Sequence, residues 1–374
     1  MIDFTSLFYA VVFGFGLFGM DAVWNANTVQ TDFMVSDSAA WQGIKPEFAE
    51  TVFTRELQEV FTTHSLIRAP EVRSSHEKTF VTILAESVGL DNATAAFQDL
   101  FGIQPVAIIA TLATVSGNTT LEVVGEAGGK GSFFMSIPAL PGEGTIELIR
   151  RGAIESAFRL DVYHTALHLL DPDTGDPNTA RAIQALDKAI AALPPTPQST
   201  QRARLRNLRG IAALLEDDKD GAAAHLEAAV SDDPTLVPAV LNLAFLRVEQ
   251  DRYADALQIA QAVLRAPKFF IGAAMTAGAH TIAGVSHWAL RNPRAAEVEF
   301  AAAVAADPHV SDAYIYWGRM LTEMGRLSEG RDKLRRGAEN LAEFENYPEV
   351  ALLYFWMTEK DNVPLERRPR GAPI

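Results

Sequence analysis

The chain has 374 residues, of which 48% are hydrophobic, so it can bury more than one core and is not disordered throughout. Its formal net charge of −15, with no basic stripe along the sequence, argues against a nucleic-acid-binding protein. Because the chain has no cysteine, disulfides, thiolate zinc sites and thiol catalysis are excluded.

An uncharged apolar run opens the chain at residues 4–20. Extended to Trp24 it is long enough to cross a bilayer, with Asp21 at the interface. A cleaved signal peptide is the alternative, but a basic n-region and a nearby small-residue cleavage site are both missing. Residues 21–44 contain no Lys or Arg, which favours the translocated side. We therefore expect residues 1–24 to be a single-pass anchor in the inner (cytoplasmic) membrane, with the bulk of the chain in the periplasm.

Small residues recur at every fourth position of this run, at Ser6, Ala10 and Gly14. They share one face of a helix, and small residues at this spacing let another transmembrane helix approach closely. We expect this face to pack against a membrane-protein partner.

Residues 25–44 are polar and are predicted to form a linker, and residues 45–150 are predicted to form a small α+β domain. Helical periodicity covers 45–63, 77–88 and 92–101. Residues 104–115, 119–126 and 131–137 are rich in β-branched and aromatic residues and are separated by turn sequences, which predicts a three-stranded antiparallel meander. A helix begins near Glu143.

The turn between the last two strands, residues 125–132, contains several glycines and a lysine. It does not fit the phosphate-loop spacing and joins two strands rather than opening a helix, so we interpret it as a hairpin. The order of elements in 45–150 resembles the amino-terminal α/β module found ahead of repeats in some bacterial envelope and sensor proteins, such as the Tol-system propeller protein. An alternative function for the chain is that of a periplasmic sensory or regulatory protein whose α+β domain binds a small ligand.

A set of small and bulky residues recurs at fixed offsets in the carboxyl-terminal half. Small, small, bulky, small and Pro follow one another at offsets of 12, 4, 3 and 5 residues, as Gly210, Ala222, Leu226, Ala229 and Pro234 and again as Gly284, Ala296, Phe300, Ala303 and Pro308. Further copies start at Leu170, Ala244 and Gly318, so the starts lie 40, 34, 40 and 34 residues apart. A period of 34 residues, interrupted twice by six more, indicates stacked helix pairs.

These offsets resemble the tetratricopeptide repeat (TPR). The resemblance implies an α-solenoid of about five units over 151–345, followed by a capping helix and flexible tail at 346–374, so the fold class is mainly α. In this family the first helix of each unit lines a groove that holds peptides or partner helices. Carried over by position, the groove candidates are Arg204, Asn207, Asn242, Phe245, Trp288, Tyr316 and Arg319.

The expected function is that of a membrane-anchored TPR scaffold or assembly factor, or an accessory subunit of a membrane complex, that binds protein partners. We expect no cofactor, no metal, no nucleic acid and no enzymatic activity, since no acid–base or nucleophile constellation is present. His164 and His168 have metal-binding spacing on one helix, but no third ligand is evident nearby.

Overall fold

The structure is a computed structural model that describes residues 28–36, 44–63, 65, 69–74, 105–115, 118–127, 131–171, 178–194, 199–265 and 272–341. The predicted anchor with Ser6, Ala10 and Gly14, the predicted helices at 77–88 and 92–101, and the predicted capping helix and tail lie outside these residues. Within the described ranges, no helix has both the length and the apolar character needed to span a bilayer. The chain divides into two compact units, with a boundary between Thr165 and Ala166.

The first unit contains five strands and two helices in the order β1 (Thr28–Val35), α1 (Pro46–Thr62), β2 (Glu71–Ser74), β3 (Val106–Val115), β4 (Asn118–Ala127), β5 (Gly131–Pro138) and α2 (Thr145–Leu160). The strand order in the sheet is β2-β1-β3-β4-β5. β1 pairs in parallel with both β2 and β3, whereas β3, β4 and β5 pair antiparallel. The sheet is therefore mixed, and the predicted antiparallel meander is three strands of a five-stranded sheet.

The assignment of residues 25–44 to a linker is wrong for β1. Val29, Thr31 and Phe33 are buried on one face of this strand, while Gln30 and Met34 are exposed on the other. Buried and exposed residues therefore alternate along β1, but the middle residue of the buried face is a threonine. Burial of that hydroxyl is tolerated because Thr31 and Thr54 hydrogen-bond through their Oγ1 atoms at 2.8 Å.

One face of the sheet packs against α1 and α2. Phe53 and Leu57 of α1, together with Leu148 and Ile149 of α2, are completely buried in this core. Since α2 belongs to the core and runs from Thr145 to Leu160, the predicted domain boundary at residue 150 falls inside a packed helix. The opposite face of the sheet exposes apolar side chains on β1, β3, β4 and β5.

The helices that follow are α3 (Val162–Leu170), which spans the unit boundary, and then α4 (Thr179–Ala192), α5 (Thr200–Leu215), α6 (Lys219–Asp232), α7 (Val237–Glu249), α8 (Tyr253–Arg265), α9 (Ala273–Ala289), α10 (Pro293–Ala306), α11 (Ser311–Glu323) and α12 (Leu327–Leu341). Four consecutive pairs, α5–α6, α7–α8, α9–α10 and α11–α12, pack as helical hairpins. These pairs match four of the five predicted units, and α3 and α4 lie at the positions of the first unit.

Each of the four hairpins turns through one residue with left-handed backbone conformation. These residues are Asp217, Asp251, Arg291 and Gly325, with φ of 58°, 58°, 61° and 79°. Each follows the small residue of its unit by seven positions. In each turn the next amide donates to a carbonyl five residues earlier, as in Asp218 N to Ala213 O at 2.9 Å and Arg326 N to Leu321 O at 2.8 Å. This is the Schellman arrangement, so the first helices of these four hairpins end in the same way.

The small residues of the first helices lie where the two helices of a hairpin cross. A Cβ atom added at Gly318 would lie 2.9 Å from the Gly330 carbonyl oxygen and 3.0 Å from the Leu334 nitrogen. Because both contacts are backbone atoms, α11 and α12 would have to separate. By contrast, a Cβ added at Gly278 of α9 would meet only Leu241, at 3.8 Å.

We therefore expect Gly318→Ala and Gly278→Ala to change stability in opposite directions. Each gains up to about 1 kcal/mol in helix propensity. At Gly318 overpacking costs about 1–3 kcal/mol and outweighs that gain, whereas at Gly278 nothing opposes it. Urea unfolding followed by circular dichroism measures both changes. Equal stabilisation by the two substitutions would contradict the close crossing of α11 and α12.

Candidate partner-binding surface

The first helices of successive hairpins, α5, α7, α9 and α11, lie side by side and carry all seven predicted groove residues. Side-by-side packing follows from the apolar faces that these helices share, with Leu241, Ala244, Ile282 and Ala283 in one core. The surface formed by these four helices is called the first-helix surface below.

Two of the seven predicted residues bind each other. Asn242 Nδ2 donates a hydrogen bond to Asn207 Oδ1 at 2.8 Å, and the two residues are only 0% and 2% exposed. An amide pair between neighbouring first helices holds α5 and α7 in register, because a buried amide left without its partner would cost about 1–3 kcal/mol. Here the amides stabilise the stack from inside.

The other five residues divide by burial. Phe245 and Tyr316 are buried, whereas Arg204, Trp288 and Arg319 are partly exposed. The structure thus brings the seven residues onto one row of helices but leaves three of them at the surface. An aromatic residue and two arginines are the residue types most often found at the energetic centre of protein interfaces.

The surroundings of Arg204 include groups that the sequence reasoning did not select. Its Nε atom is buried and has no hydrogen-bond partner among the described residues. Two residues away, Arg202 donates from Nε and Nη2 to Asp232 at 2.9 and 2.8 Å, and Arg206 donates to the same carboxylate at 2.6 Å. Hydrogen bonding to Asp232 raises the pKa of the Arg202 guanidinium. The spacing of Arg202 and Arg206, four residues apart on α5, was the signal available in the sequence.

His164, one of the two histidines with metal-binding spacing, contacts a carboxylate and two aromatic rings. His164 is 1% exposed, its Nδ1 lies 2.8 Å from Asp161 Oδ2, and its ring meets those of Phe61 and Tyr163 edge-on. No cluster of three or more His, Cys, Asp or Glu suited to a metal ion occurs in the described part of the chain. The glycine-rich stretch at 125–132 joins β4 to β5, with Ala127 paired to Gly131, which confirms the hairpin interpretation.

A surface cleft of about 560 Å³ lies in the first unit, between the amino-terminal ends of α1 and α2. It is lined by Ile44, Lys45, Phe48, Gly144, Thr145, Ile146 and Glu147. Two of its apolar side chains, Phe48 and Ile146, are 49% and 37% exposed, so the cleft is open to solvent. Lys45, Thr145 and Glu147 are the polar residues in this lining.

No protein-family model matches the chain, and no curated protein matches it. Solved structures with which it shares similarity include MamA, at 17% identity over 43% of this chain and 88% of that chain, with a TM-score of 0.34. A MamA fragment from Desulfovibrio magneticus RS-1 is 18% identical over 53% of this chain and 91% of its own, with a TM-score of 0.31. PilF of Pseudomonas aeruginosa is 16% identical over 56% and 87% of the two chains, with a TM-score of 0.40.

MamA and PilF are TPR-repeat proteins. At these identities and TM-scores the likeness carries no argument for this chain. The repeat is established by this chain's own geometry, namely four hairpins with the same glycine or alanine crossing position and the same left-handed turn seven residues later. The described carboxyl-terminal half therefore contains a stack of four helical hairpins whose repeat offsets resemble those of the tetratricopeptide repeat.

Proposed function

We propose that the chain is a membrane-anchored scaffold that holds protein partners on the first-helix surface. The observation that carries the proposal is the row of four side-by-side first helices on which Arg204, Trp288 and Arg319 remain partly exposed. A tryptophan supplies a large apolar contact, and an arginine can bind a carboxylate or a backbone carbonyl through several N–H groups. A peptide or partner helix with apolar side chains and acidic groups fits this combination.

The membrane part of the proposal rests on the sequence. The apolar run at 4–24 would place the scaffold at the inner membrane with its bulk in the periplasm, and the Ser6, Ala10 and Gly14 face would contact a membrane-protein partner. The complex would then contain both an intramembrane and a solvent-exposed contact. Two weak contacts joined in one chain give a higher overall affinity than either alone.

The test begins with the full-length chain purified in mild detergent, with mass spectrometry of the proteins that accompany it. A triple variant, Arg204→Ala with Trp288→Ala and Arg319→Ala, should bind the recovered partner at least about tenfold more weakly, since aromatic and arginine hot spots each contribute about 2 kcal/mol or more. Affinity is measured with the purified partner by biolayer interferometry.

The matched control changes two arginines and one apolar residue on second helices, in a triple variant of Arg294→Ala, Val298→Ala and Arg331→Ala. These three residues are exposed on α10 and α12 and lie off the first-helix surface. Unchanged binding by the first triple variant, or equal loss by both, would reject the surface. Removing residues 1–24 should release the chain from the membrane fraction, and its retention there would reject the anchor.

The second candidate, a regulatory protein that binds a small ligand in the first unit, would use the cleft between α1 and α2. The cleft has the volume of a small-molecule site. Because the cleft is open to solvent, it is less suited to a specific small ligand than the first-helix surface is to a protein.

A further inference from the structure

Among the described residues of the first unit, the sheet ends in a strand that has no partner on its outer side. β5 is the last strand in the order β2-β1-β3-β4-β5, and no described strand pairs with its outer edge. The Ala139 amide donates to the Thr119 carbonyl at 2.9 Å, which fixes the alternation of bonded and non-bonded pairs along β4 and β5. By this alternation, Ser132, Phe134 and Ser136 direct their N–H and C=O groups away from β4.

Pro138 is the next residue in that outward series, and it has no N–H group. Proline is found in sheets where its nitrogen faces away from a partner strand, so its position agrees with the alternation. The outer edge of β5 therefore offers three donors and three acceptors, from three alternate residues, over a strand of eight residues.

From Ser132 to Ser136 this edge lacks the usual protection against pairing. Natural edge strands are commonly blunted by lysine, proline, inward-pointing charges or a bulge, whereas β5 reads GSFFMSIP and contains no charged residue. Its one proline is the last residue of the strand, where Arg151 donates to the Pro138 carbonyl at 2.8 Å. Phe134 is 62% exposed, and the strand register places Val124 and then Ile109 beside it on the same face, at 39% and 37% exposed. An apolar row thus runs across the sheet and ends at the open edge.

The edge is also complementary to itself. Residues of the same type lie at equal distances on either side of Phe134. Ser132 and Ser136 lie on the exposed face of the sheet, and the apolar residues Phe133 and Met135 lie on the face that the helices cover. A two-fold interface requires that residue i meets residue j while j meets i, and a palindromic, uncharged strand satisfies this without placing like charges opposite each other. A peptide from an unrelated protein would require no such symmetry.

We propose that β5 pairs antiparallel with β5 of a second copy of this chain, about a two-fold axis at Phe134. Phe134 then lies opposite the partner's Phe134, and Ser132 lies opposite the partner's Ser136. The two five-stranded sheets become one continuous sheet of ten strands, and the apolar row continues across the axis. The interface lies in the first unit and leaves the first-helix surface unused.

The absence of cysteine allows a direct test by disulfide cross-linking of the full-length protein in mild detergent. Residues in a hydrogen-bonded antiparallel pair have Cα atoms about 5.5 Å apart, within disulfide range, so Phe134→Cys should give a cross-linked dimer under mild oxidation. Val124→Cys is the matched control, because it is exposed on the same face but one strand further from the axis on each side. Its thiols would be separated by three strand spacings, about 14 Å, and should not cross-link.

A second measurement uses charge. Phe134→Lys and Phe134→Glu each place like charges across the axis and should weaken self-association in sedimentation velocity by at least about tenfold, whereas an equal mixture of the two should restore the dimer. The restoration distinguishes lost pairing from a damaged fold. A wild-type chain that sediments as a monomer at every concentration, or equal cross-linking of the two cysteine variants, would overturn the proposal. Protection of β5 amides from hydrogen exchange in such a monomer would show that another segment of the chain covers the edge.

Discussion

Phe300→Ala should destabilise the repeat solenoid by about 3–5 kcal/mol, the usual cost of replacing a buried core phenylalanine with alanine. Phe300 is completely buried, and its ring lies against Gly284 of the preceding helix. A Cβ atom added at Gly284 would be 2.7 Å from two of the ring carbons. The ring therefore fills the space that the missing Cβ leaves, and its removal opens a cavity at the crossing of α9 and α10.

The measurement is denaturant unfolding, with Val298→Ala as the matched control on the same helix. Val298 is 68% exposed, so its truncation should change the free energy of unfolding by no more than about 0.5 kcal/mol. Similar losses for the two variants would mean that Phe300 does not fill the crossing. Because the repeats of a solenoid can unfold separately, unfolding should be followed with two spectroscopic probes. If the two probes give different unfolding curves, the variants are compared at the midpoint of the first transition.

A double-mutant cycle isolates the contact. Gly284→Ala alone should destabilise the chain, because the added methyl group overlaps the Phe300 ring. In the Phe300→Ala background the same change should stabilise it, since the methyl then occupies part of the cavity and helix propensity also improves. The sign of the Gly284→Ala effect should therefore reverse between the two backgrounds. An effect of the same sign in both would show that the two residues do not share space.

The repeats could be predicted from the sequence because their packing rule involves residue size at fixed offsets. Where the first helix carries Gly210 or Gly284, the residue sixteen positions later is Leu226 or Phe300, and both are completely buried. The combined volume at the crossing is limited by the distance between two helix backbones, so the two positions compensate each other. A constraint of this kind is visible in a single sequence.

The errors in the first unit have a different physical origin. β1 could not be predicted because its central core position is Thr31, whose hydroxyl is satisfied by Thr54, 23 positions away, and by the carbonyl of Arg73, 42 positions away. No local pattern reveals that pairing. The same applies to the parallel pairing of β1 with β2 and β3, which joins residues far apart in the chain and depends on contacts that a local window does not contain.

The burial of the candidate partner-binding residues could not be predicted from the sequence either. The resemblance placed Asn207 and Asn242 on the first helices, where the structure has them, but sequence position does not determine whether an amide faces a partner or a neighbouring helix. Their mutual hydrogen bond and burial depend on how closely α5 and α7 pack. Exposure of Arg204, Trp288 and Arg319 likewise depends on the stack, so the surface could be named from the sequence but its exposed members could not.

Asp232→Ala should cause a large electrostatic loss of stability. Asp232 is the last residue of α6 and is 7% exposed, and it accepts hydrogen bonds from both Arg202 and Arg206. A carboxylate at the carboxyl-terminal end of a helix is repelled by the helix dipole, so it is stable there only because two guanidinium groups compensate it. Without it, two cations face each other at the base of α5, where Arg202 also donates to the Pro194 carbonyl at 3.0 Å.

The matched control is Asp187→Ala, which breaks the 2.8 Å pair between Arg209 and a carboxylate whose side chain is 50% exposed. An exposed pair of this kind contributes about 0–1 kcal/mol and is screened by salt, so its loss should be small and should vanish in concentrated NaCl. The loss of Tm for Asp232→Ala should be several times larger and should persist in salt, because the cluster is shielded from solvent. Equal losses would mean that water solvates the cluster.

Replacing both members of the bidentate pair should recover much of this loss. In a variant that combines Asp232→Leu with Arg202→Met, no charge of that pair is left buried without its partner, and apolar side chains of similar size occupy the space. Arg206, whose side chain is 28% exposed, can turn toward solvent. The double variant should therefore melt above Asp232→Ala. If it melts lower, the cluster stabilises the junction of α5 and α6 by more than its desolvation costs, and the two arginines contribute directly to the stability of the solenoid.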